Sequence, residues 1–579
     1  MIDMVESLID ACLGSSPLDI LVSGRIVDVY SGNIFDGFVG VKNGLIAYVG
    51  HSPKPTKKII NFPSGYILPA YIDGHVHIES SLMTPSMFAR AVIPHGTCCV
   101  IADPHEIANV AGLDGIRFMI EDAERTPLKF YFMIPSSVPS TNLETAGAEI
   151  GLKEIEILKR FKRVLGLGEV MNYRGVINKD KAILDKIRAC EGMIIDGHAP
   201  GLRGDDLCAY ALAGISSDHE VTSLEEAKEK LTLGMWIMIR EGSIAKAISS
   251  LINVVSKGCP ERVMFVTDDK HAGDILHEGH MDHCLRRAVE EGLDPVDAVK
   301  MVTIKPAEYF RLKSLGGLSP GKSADMVVVS DLREFRAKAV LIDGKVVAKD
   351  GRYLGAGVKV EKSFSSLMES INMGKLRLDD LCIKHPHKKF GKTIVRVIGL
   401  VENQIVTEEI RQELRIVNGE VKADPKRDVL KICVIERHKG TGRVGKGFVR
   451  GFGLKSGALA STIAHDSHNI VAVGVDDRDI YRAILRLREI NGGFVIIKNG
   501  LVLGELPLPV AGLMTFSDAS EIAEKTKALK EAAAKLGCKI ENPFMALSFL
   551  SLPVIPKLKI TDFGLIDAEN LKIVNLFVD

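Results

Sequence analysis

The chain has 579 residues, 46% of them hydrophobic and 26% charged, an ordinary globular composition too long for a single core. Lys+Arg and Asp+Glu balance at 74 each, so bulk charge favours neither nucleic acid nor an anionic membrane. No apolar run is long enough to span a bilayer, no secretory leader is visible, and the 10 cysteines are scattered, so a reduced, cytoplasmic protein is expected.

In chain order, residues 1–13 read as a short amphipathic helix. Short strands follow at Asp19–Asp28, at Gly37–Gly44 with an Asn-Gly turn, and at Leu45–Gly50. A second strand-rich stretch comes much later, at Ala324–Val329 and Ala339–Val347. Two β segments bracketing a long middle can close into one small sandwich. Between them the chain alternates apolar strands with helical patterns, the rhythm of a parallel sheet. Eight runs stand out: Tyr66–Ile72, Cys98–Ala102, Phe130–Ile134, Arg163–Gly168, Met193–Ile195, Gly214–Ser217, Met235–Ile239 and Arg262–Val266, each ending in polar residues. Eight βα units make a closed barrel whose active site lies at the C-terminal strand ends.

Residues 362–380 read as a connector, and from about Ile383 a third region mixes strands (Thr393–Ile398, Val429–Ile435) with a helix at Ala519–Leu536. The expected fold is therefore α/β: a (β/α)8 TIM-like barrel over 68–317, a small composite β-sandwich from 18–67 plus 318–360, and an additional C-terminal α+β domain over 383–579.

The strand ends carry the chemistry. His75 and His77 alternate, so both imidazoles can face one spot. H-x-H alone is a weak signal, because two polar residues at a strand end are unremarkable. Strand 4 adds Glu169, strand 5 His198, strand 6 His219 and strand 8 Asp268. Imidazole and carboxylate suit divalent zinc, manganese or iron. Six such ligands are too many for one open catalytic metal and fit two sharing a bridge.

Glu79, Glu106 and Glu220 lie just past strand ends and are substrate-binding candidates, though each reads equally well as a solvated loop acid. Asp103 and His105 can orient a ligand histidine. Of His271, His277 and His280, most are expected in a solvated loop. Gly440–Gly447 is glycine-rich and basic but departs from the phosphate-loop pattern, so a tight turn is expected. His465, Asp466, His468 and Asn469 are four polar residues in five between apolar runs. They are expected near the mouth of a barrel, of their own chain or of a partner in a homodimer or higher homo-oligomer.

The run Leu68-Pro-Ala-Tyr-Ile-Asp-Gly-His-Val-His77 resembles the signature of the amidohydrolase superfamily. His198, His219 and Asp268 match that superfamily's ligand order on strands 5, 6 and 8. Where many members carry a carboxylated lysine on strand 4, this chain has Glu169. That substitution, with His77-Ile-Glu-Ser-Ser81, Asp103-Pro-His-Glu106, Ala464–Asn469 and Gly504–Gly512, resembles the adenine deaminase branch over nearly the whole chain.

The resemblance implies that His75, His77, Glu169 and Asp268 hold one metal and that Glu169, His198 and His219 hold the other. A mixed imidazole–carboxylate set admits manganese or iron more easily than cysteine-rich sites do, with zinc as an alternative. The resemblance also implies hydrolytic deamination of free adenine to hypoxanthine and ammonia, a step in purine salvage. In that reaction metal-activated hydroxide attacks C6 while Asp268 moves the proton. A different amidohydrolase reaction, such as cyclic amide or N-acetyl hydrolysis, would use the same metals. A non-catalytic metal-binding protein is the other reading, against which the intact ligand set argues.

Overall fold

The computed structural model of the chain describes residues 2–255, 261–355, 362–401 and 404–578. It divides into two compact units. One comprises Met1–Pro104, Met119–Ser136 and Gly151–Lys359; the other comprises His105–Phe118, Ser137–Ile150 and Val360–Asp579.

The first unit begins with the helix Ile2–Leu13, which lays Leu8 and Ala11 against Leu18, Leu21 and Ala47. Four strands follow: β1 (Ile20–Val27), β2 (Ile34–Lys42), β3 (Leu45–Gly50) and β4 (Ile59–Pro69). The eight strands β5 to β12 come next: β5 (Tyr71–Val76), β6 (Thr97–Ala102), β7 (Lys129–Ile134), β8 (Val164–Val170), β9 (Ile194–Gly197), β10 (Ser217–Asp218), β11 (Trp236–Arg240) and β12 (Val263–Val266). Then β13 (Met326–Val329), β14 (Ala337–Ile342), β15 (Lys345–Lys349) and β16 (Arg352–Tyr353) return to the first four.

The small sheet has the order β16-β15-β14-β13-β4-β1-β2-β3, so the two distant sequence segments do share one sheet. Alternate residues of these strands, among them Val22, Ile26, Val39, Val41, Ile67, Val328 and Leu341, fill its core. The expected strand Tyr66–Ile72 is in fact two. Tyr66–Pro69 pairs with Met326–Val329 in the small sheet, and the chain then starts afresh at Tyr71 beside Thr97. Pro69 marks the break, since its ring nitrogen has no hydrogen to give a ladder.

β5 to β9 pair in parallel in sequence order, and β10 to β12 do the same. Ser216 N–H donates to Ile195 O at 3.0 Å across the first gap. Across the second, Asp268 N–H donates to His75 O at 2.9 Å and His77 N–H to Asp268 O at 3.1 Å. The result is a curled parallel sheet, the arrangement of a (β/α)8 barrel. Its strands are nearly continuous apolar runs buried on both faces, as helix-covered parallel sheets require. Met235 and Met238 are among that core, and Trp236 between them is half-buried.

The second unit is built on a nine-stranded sheet, β19-β18-β17-β21-β20-β23-β22-β24-β25. These strands are β17 (Gly391–Leu400), β18 (Thr407–Val417), β19 (Glu420–Val421), β20 (Val429–Ile435), β21 (Val444–Arg450), β22 (Ala458–Ser461), β23 (Ile470–Gly474), β24 (Gly493–Lys498) and β25 (Leu501–Pro507). The helix Asp477–Glu489 begins at the cap Asp476, whose carboxylate accepts from Arg478 N and Asp479 N. It buries Ile480, Ala483, Ile484 and Leu487, each large side chain contributing about 1.5–3 kcal/mol of apolar burial.

The expected helix at Ala519–Leu536 is observed as Ala519–Lys535. The expected turn at Gly440–Gly447 is only half correct. The turn runs ahead of Val444 and wraps the Glu436 carboxylate, which accepts from Lys439 N at 2.6 Å and Thr441 N at 2.9 Å. Gly445 and Gly447 belong to β21.

Residues 137–150 belong to this unit because of specific bonds. Thr145 N and Oγ1 donate to Asp562 at 2.9 and 2.6 Å, and Asn469 Nδ2 donates to Thr145 O at 2.9 Å.

Candidate metal centre

His75 lies on β5, His77 one residue past it, Glu169 on β8, His198 and His219 directly after β9 and β10, and Asp268 two residues after β12. The fold brings all six together. Nε2 of His75 and Nε2 of His77 are 3.2 Å apart. Glu169 Oε1 is 3.4 and 2.9 Å from these nitrogens, and Asp268 Oδ1 is 3.4 and 3.1 Å from them. The other glutamate oxygen, Oε2, is 3.0 Å from His198 Nδ1 and 3.5 Å from His219 Nε2. Those two nitrogens are again 3.2 Å apart. Glu169 therefore presents one oxygen to each histidine pair, the geometry of a bridging ligand.

The donor set fits divalent cations. Nδ1–H of His77 donates outward to the Asp103 carbonyl at 3.0 Å, which leaves the Nε2 lone pair facing inward. A carbonyl partner of this kind fixes the tautomer a metal ligand needs. Two imidazole nitrogens at 3.2 Å can share only one proton, yet carboxylate oxygens crowd the same nitrogens. A cation answers all of them at once.

The charges respond to this crowding. Burial works against the His75 imidazolium, but hydrogen bonds to Asp268 and Glu169 outweigh it and push it up to about 10. Burial also opposes ionisation of Glu169, yet His219, His77 and the bonds from His198 hold its carboxyl well below the usual range. Burial is likewise outweighed at Asp268, where Arg240, His75 and His77 hold the carboxyl well below its usual range. Protons stand where cations would compete for the same lone pairs.

The surroundings hold the six residues in place. Asp73 accepts from His75 N at 3.3 Å, from Thr267 N at 3.1 Å and from the Thr267 hydroxyl, which clips β5 to β12. His280 is 3.3 Å from Asp73 and bonds Thr97 Oγ1 at 2.9 Å. Of the expected solvated loop, His277 is exposed but ends the helix Ala272–His277, and His280 is fully buried in this network.

Tyr210 OH donates to Val170 O at 2.7 Å and accepts from His198 N at 3.0 Å, joining the ends of β8 and β9. The buried Lys230 ammonium bonds Asp218, Glu226 Oε1 at 2.5 Å and Ala199 O at 2.8 Å behind the histidines. A Cβ at Gly168 would stand 2.0 Å from Asp103 Oδ2, so a side chain beside Glu169 would displace the Asp103 carboxylate.

Glu79 is buried in the turn Ile78–Ser81. Glu220 accepts from Arg240 Nη1 at 2.5 Å and from Nη2 at 2.7 Å. Arg240, at the end of β11, was not among the candidates; its position at a barrel strand end was the signal that could have found it.

Residues 66–347 match the amidohydrolase family, and residues 404–572 match the adenine deaminase C-terminal domain. The chain is 43% identical to adenine deaminase 2 of Carboxydothermus hydrogenoformans, covering 98% of this chain and 99% of that one. It is 44% identical to the adenine deaminase of Desulfatibacillum aliphaticivorans, with both chains fully covered. The chain belongs to the adenine deaminase family. A third adenine deaminase, from Methanothermobacter thermautotrophicus, is 47% identical over 96% of this chain and 99% of its own.

A second polar cluster lies in the unit that carries this adenine deaminase C-terminal region. Glu106, in the first turn of the helix His105–Ala123, accepts from His465 Nδ1 at 2.6 Å, and its other oxygen accepts from His468 Nε2. His465 through Asn469 are all buried, so they do not form the solvated loop that base rates favour. His465, His468 and Glu106 converge closely enough to ligate a cation. The hydrogen bonds argue against one. Ala464 N–H donates to His468 Nδ1 at 3.2 Å, so the imidazole proton sits on Nε2, aimed at Glu106. Burial opposes the Glu106 charge, but His465, His468 and His105 hold its carboxyl well below the usual range.

Proposed function

We propose that the protein hydrolyses adenine to hypoxanthine and ammonia, using two divalent cations held by His75, His77, Glu169, His198, His219 and Asp268. The observation that carries this is Glu169, whose two oxygens face two separate histidine pairs. Manganese or iron suits such a mixed imidazole–carboxylate set, and zinc is the alternative. When bound, two such cations make a water acidic enough to supply hydroxide at neutral pH.

The chain's own residues do the rest. Glu169 holds the two halves of the site at a fixed separation. Asp268 takes the proton from the attacking water and returns it to the amine leaving C6, which is general acid–base work. Electron density pushed into the ring needs a hydrogen-bond partner at a ring nitrogen. We assign that to Glu79, buried two residues beyond His77 in the turn that follows β5. No residue pattern supplies a phosphate cradle, so the free base is the substrate rather than AMP. The reaction belongs to purine salvage, and the working form is a homo-oligomer.

Ammonia release tests this directly. Adenine should turn over faster than adenosine, AMP or a cyclic amide. A faster rate on AMP or on the cyclic amide would overturn the substrate assignment while leaving the metal site standing.

A further inference from the structure

Asp268 needs its carboxylate turned correctly as well as its backbone placed. The backbone is pinned by its two bonds to β5 and sits at φ 59°, a left-handed conformation that Asp tolerates better than most residues. The carboxylate torsion is another matter, because a terminal sp3–sp2 torsion is broad and soft. Oδ1 faces His75 and His77. Oδ2 faces away from them and receives Arg240 Nη1 at 2.7 Å. Arg240 is itself fixed by a two-point bond to Glu220, the residue that follows the ligand His219. One guanidinium therefore links the ends of β10, β11 and β12.

We propose that Arg240, clamped by Glu220, is the positioning residue that sets the rotation of the Asp268 carboxylate, holding Oδ2 so that Oδ1 stays turned toward His75 and His77. Only a planar fork of donors can hold Glu220 with two nitrogens and still bond Asp268 with one of them. A lysine ammonium at this place reaches one carboxylate well and not both in fixed geometry. Arg240 acts through Asp268, so the inference rests on the role given to Asp268 above.

The test uses full-length, metal-loaded protein. Arg240→Met should lower kcat by about 10–100-fold, the worth of a charge-assisted hydrogen bond, with KM changed less than about threefold. Elemental analysis should still find two metal equivalents. Added guanidinium should restore part of the rate to Arg240→Ala, and Arg240→Lys should recover less than that. In an Asp268→Asn background the Arg240→Met change should cost almost nothing further, because the carboxylate it positions is gone.

Near-normal kcat in Arg240→Met with both metals bound would overturn the inference alone. So would an Arg240→Met effect that persists in full beside Asp268→Asn. Near-normal kcat in Asp268→Asn would instead overturn the reading on which the inference rests. If Arg240→Met does not fold, guanidinium rescue of Arg240→Ala and the rate of Glu220→Gln, expected to fall in kcat rather than rise in KM, decide the matter in the same way.

Discussion

Two clusters in this molecule are made of the same materials. One gathers four histidines and two acids at the strand ends around Glu169; the other gathers His465 and His468 on Glu106. Their outer hydrogen bonds tell them apart. His77 gives its outward N–H to a carbonyl, so its inner nitrogen faces Glu169 and Asp268 and is the one a cation would take from a proton. His468 receives a backbone N–H on its far nitrogen, so its inner nitrogen carries the proton. The first arrangement leaves lone pairs facing lone pairs and suits a cation. The second is already filled by hydrogens. Residue type and proximity alone do not define a metal site; the direction of the outer hydrogen bond does.

The largest expected effect lies on the first side. Glu169→Ala should lose both metal equivalents, measured by elemental analysis, and with them essentially all turnover. Retention of two equivalents would show that Glu169 is no bridge. Asp268→Asn comes next. It keeps the size and removes the basicity, so kcat should fall by about two to four orders of magnitude. A rate close to normal would exclude the proton-carrying role.

The same contrast shows what the sequence made legible. The curled parallel sheet and the convergence of the six candidate residues could be read because each candidate ends a strand-like run, and strand periodicity says which side it faces. Assignment of the small sheet to two distant segments followed from the same periodicity, although the boundary fell at Pro69 rather than in mid-strand. Arg240 carried one signal, its place at a strand end, but an arginine there looks like any solvated charge until its two carboxylate partners are seen. The burial of His280 was hidden for the same reason: its partners Asp73 and Thr97 are nearly two hundred residues away. Nor could the sequence show that 105–118 and 137–150 join the C-terminal unit, since Thr145 and Asp562 are remote in the chain.

Smaller effects sharpen the second side. His468→Ala should leave the metal content unchanged and destabilise its loop by about 1–3 kcal/mol, because the Glu106 carboxylate loses a buried donor. Metal loss in that variant would merge the two clusters into one kind of site.

The smallest expected effect is a pH dependence. The folded His468 is held below its ordinary value of 6.5 by burial, and the folded Glu106 below 4.5 by its histidines, despite burial. In each case the unfolded chain binds the proton first as pH falls. Stability should therefore decline as pH drops below about 6.5 and decline further below about 4.5. Hydrogen exchange at the amides of Ala464 and His468 reads this locally, and Glu106→Gln should remove the lower of the two steps. Protection that rises on acidification would contradict the assigned protonation states.

Anomalous diffraction from crystals grown with manganese tests the central claim most directly. Two peaks are expected flanking Glu169, one beside His75, His77 and Asp268 and one beside His198 and His219, with none at Glu106. A single peak remote from Glu169, or a peak between His465 and His468, would contradict it.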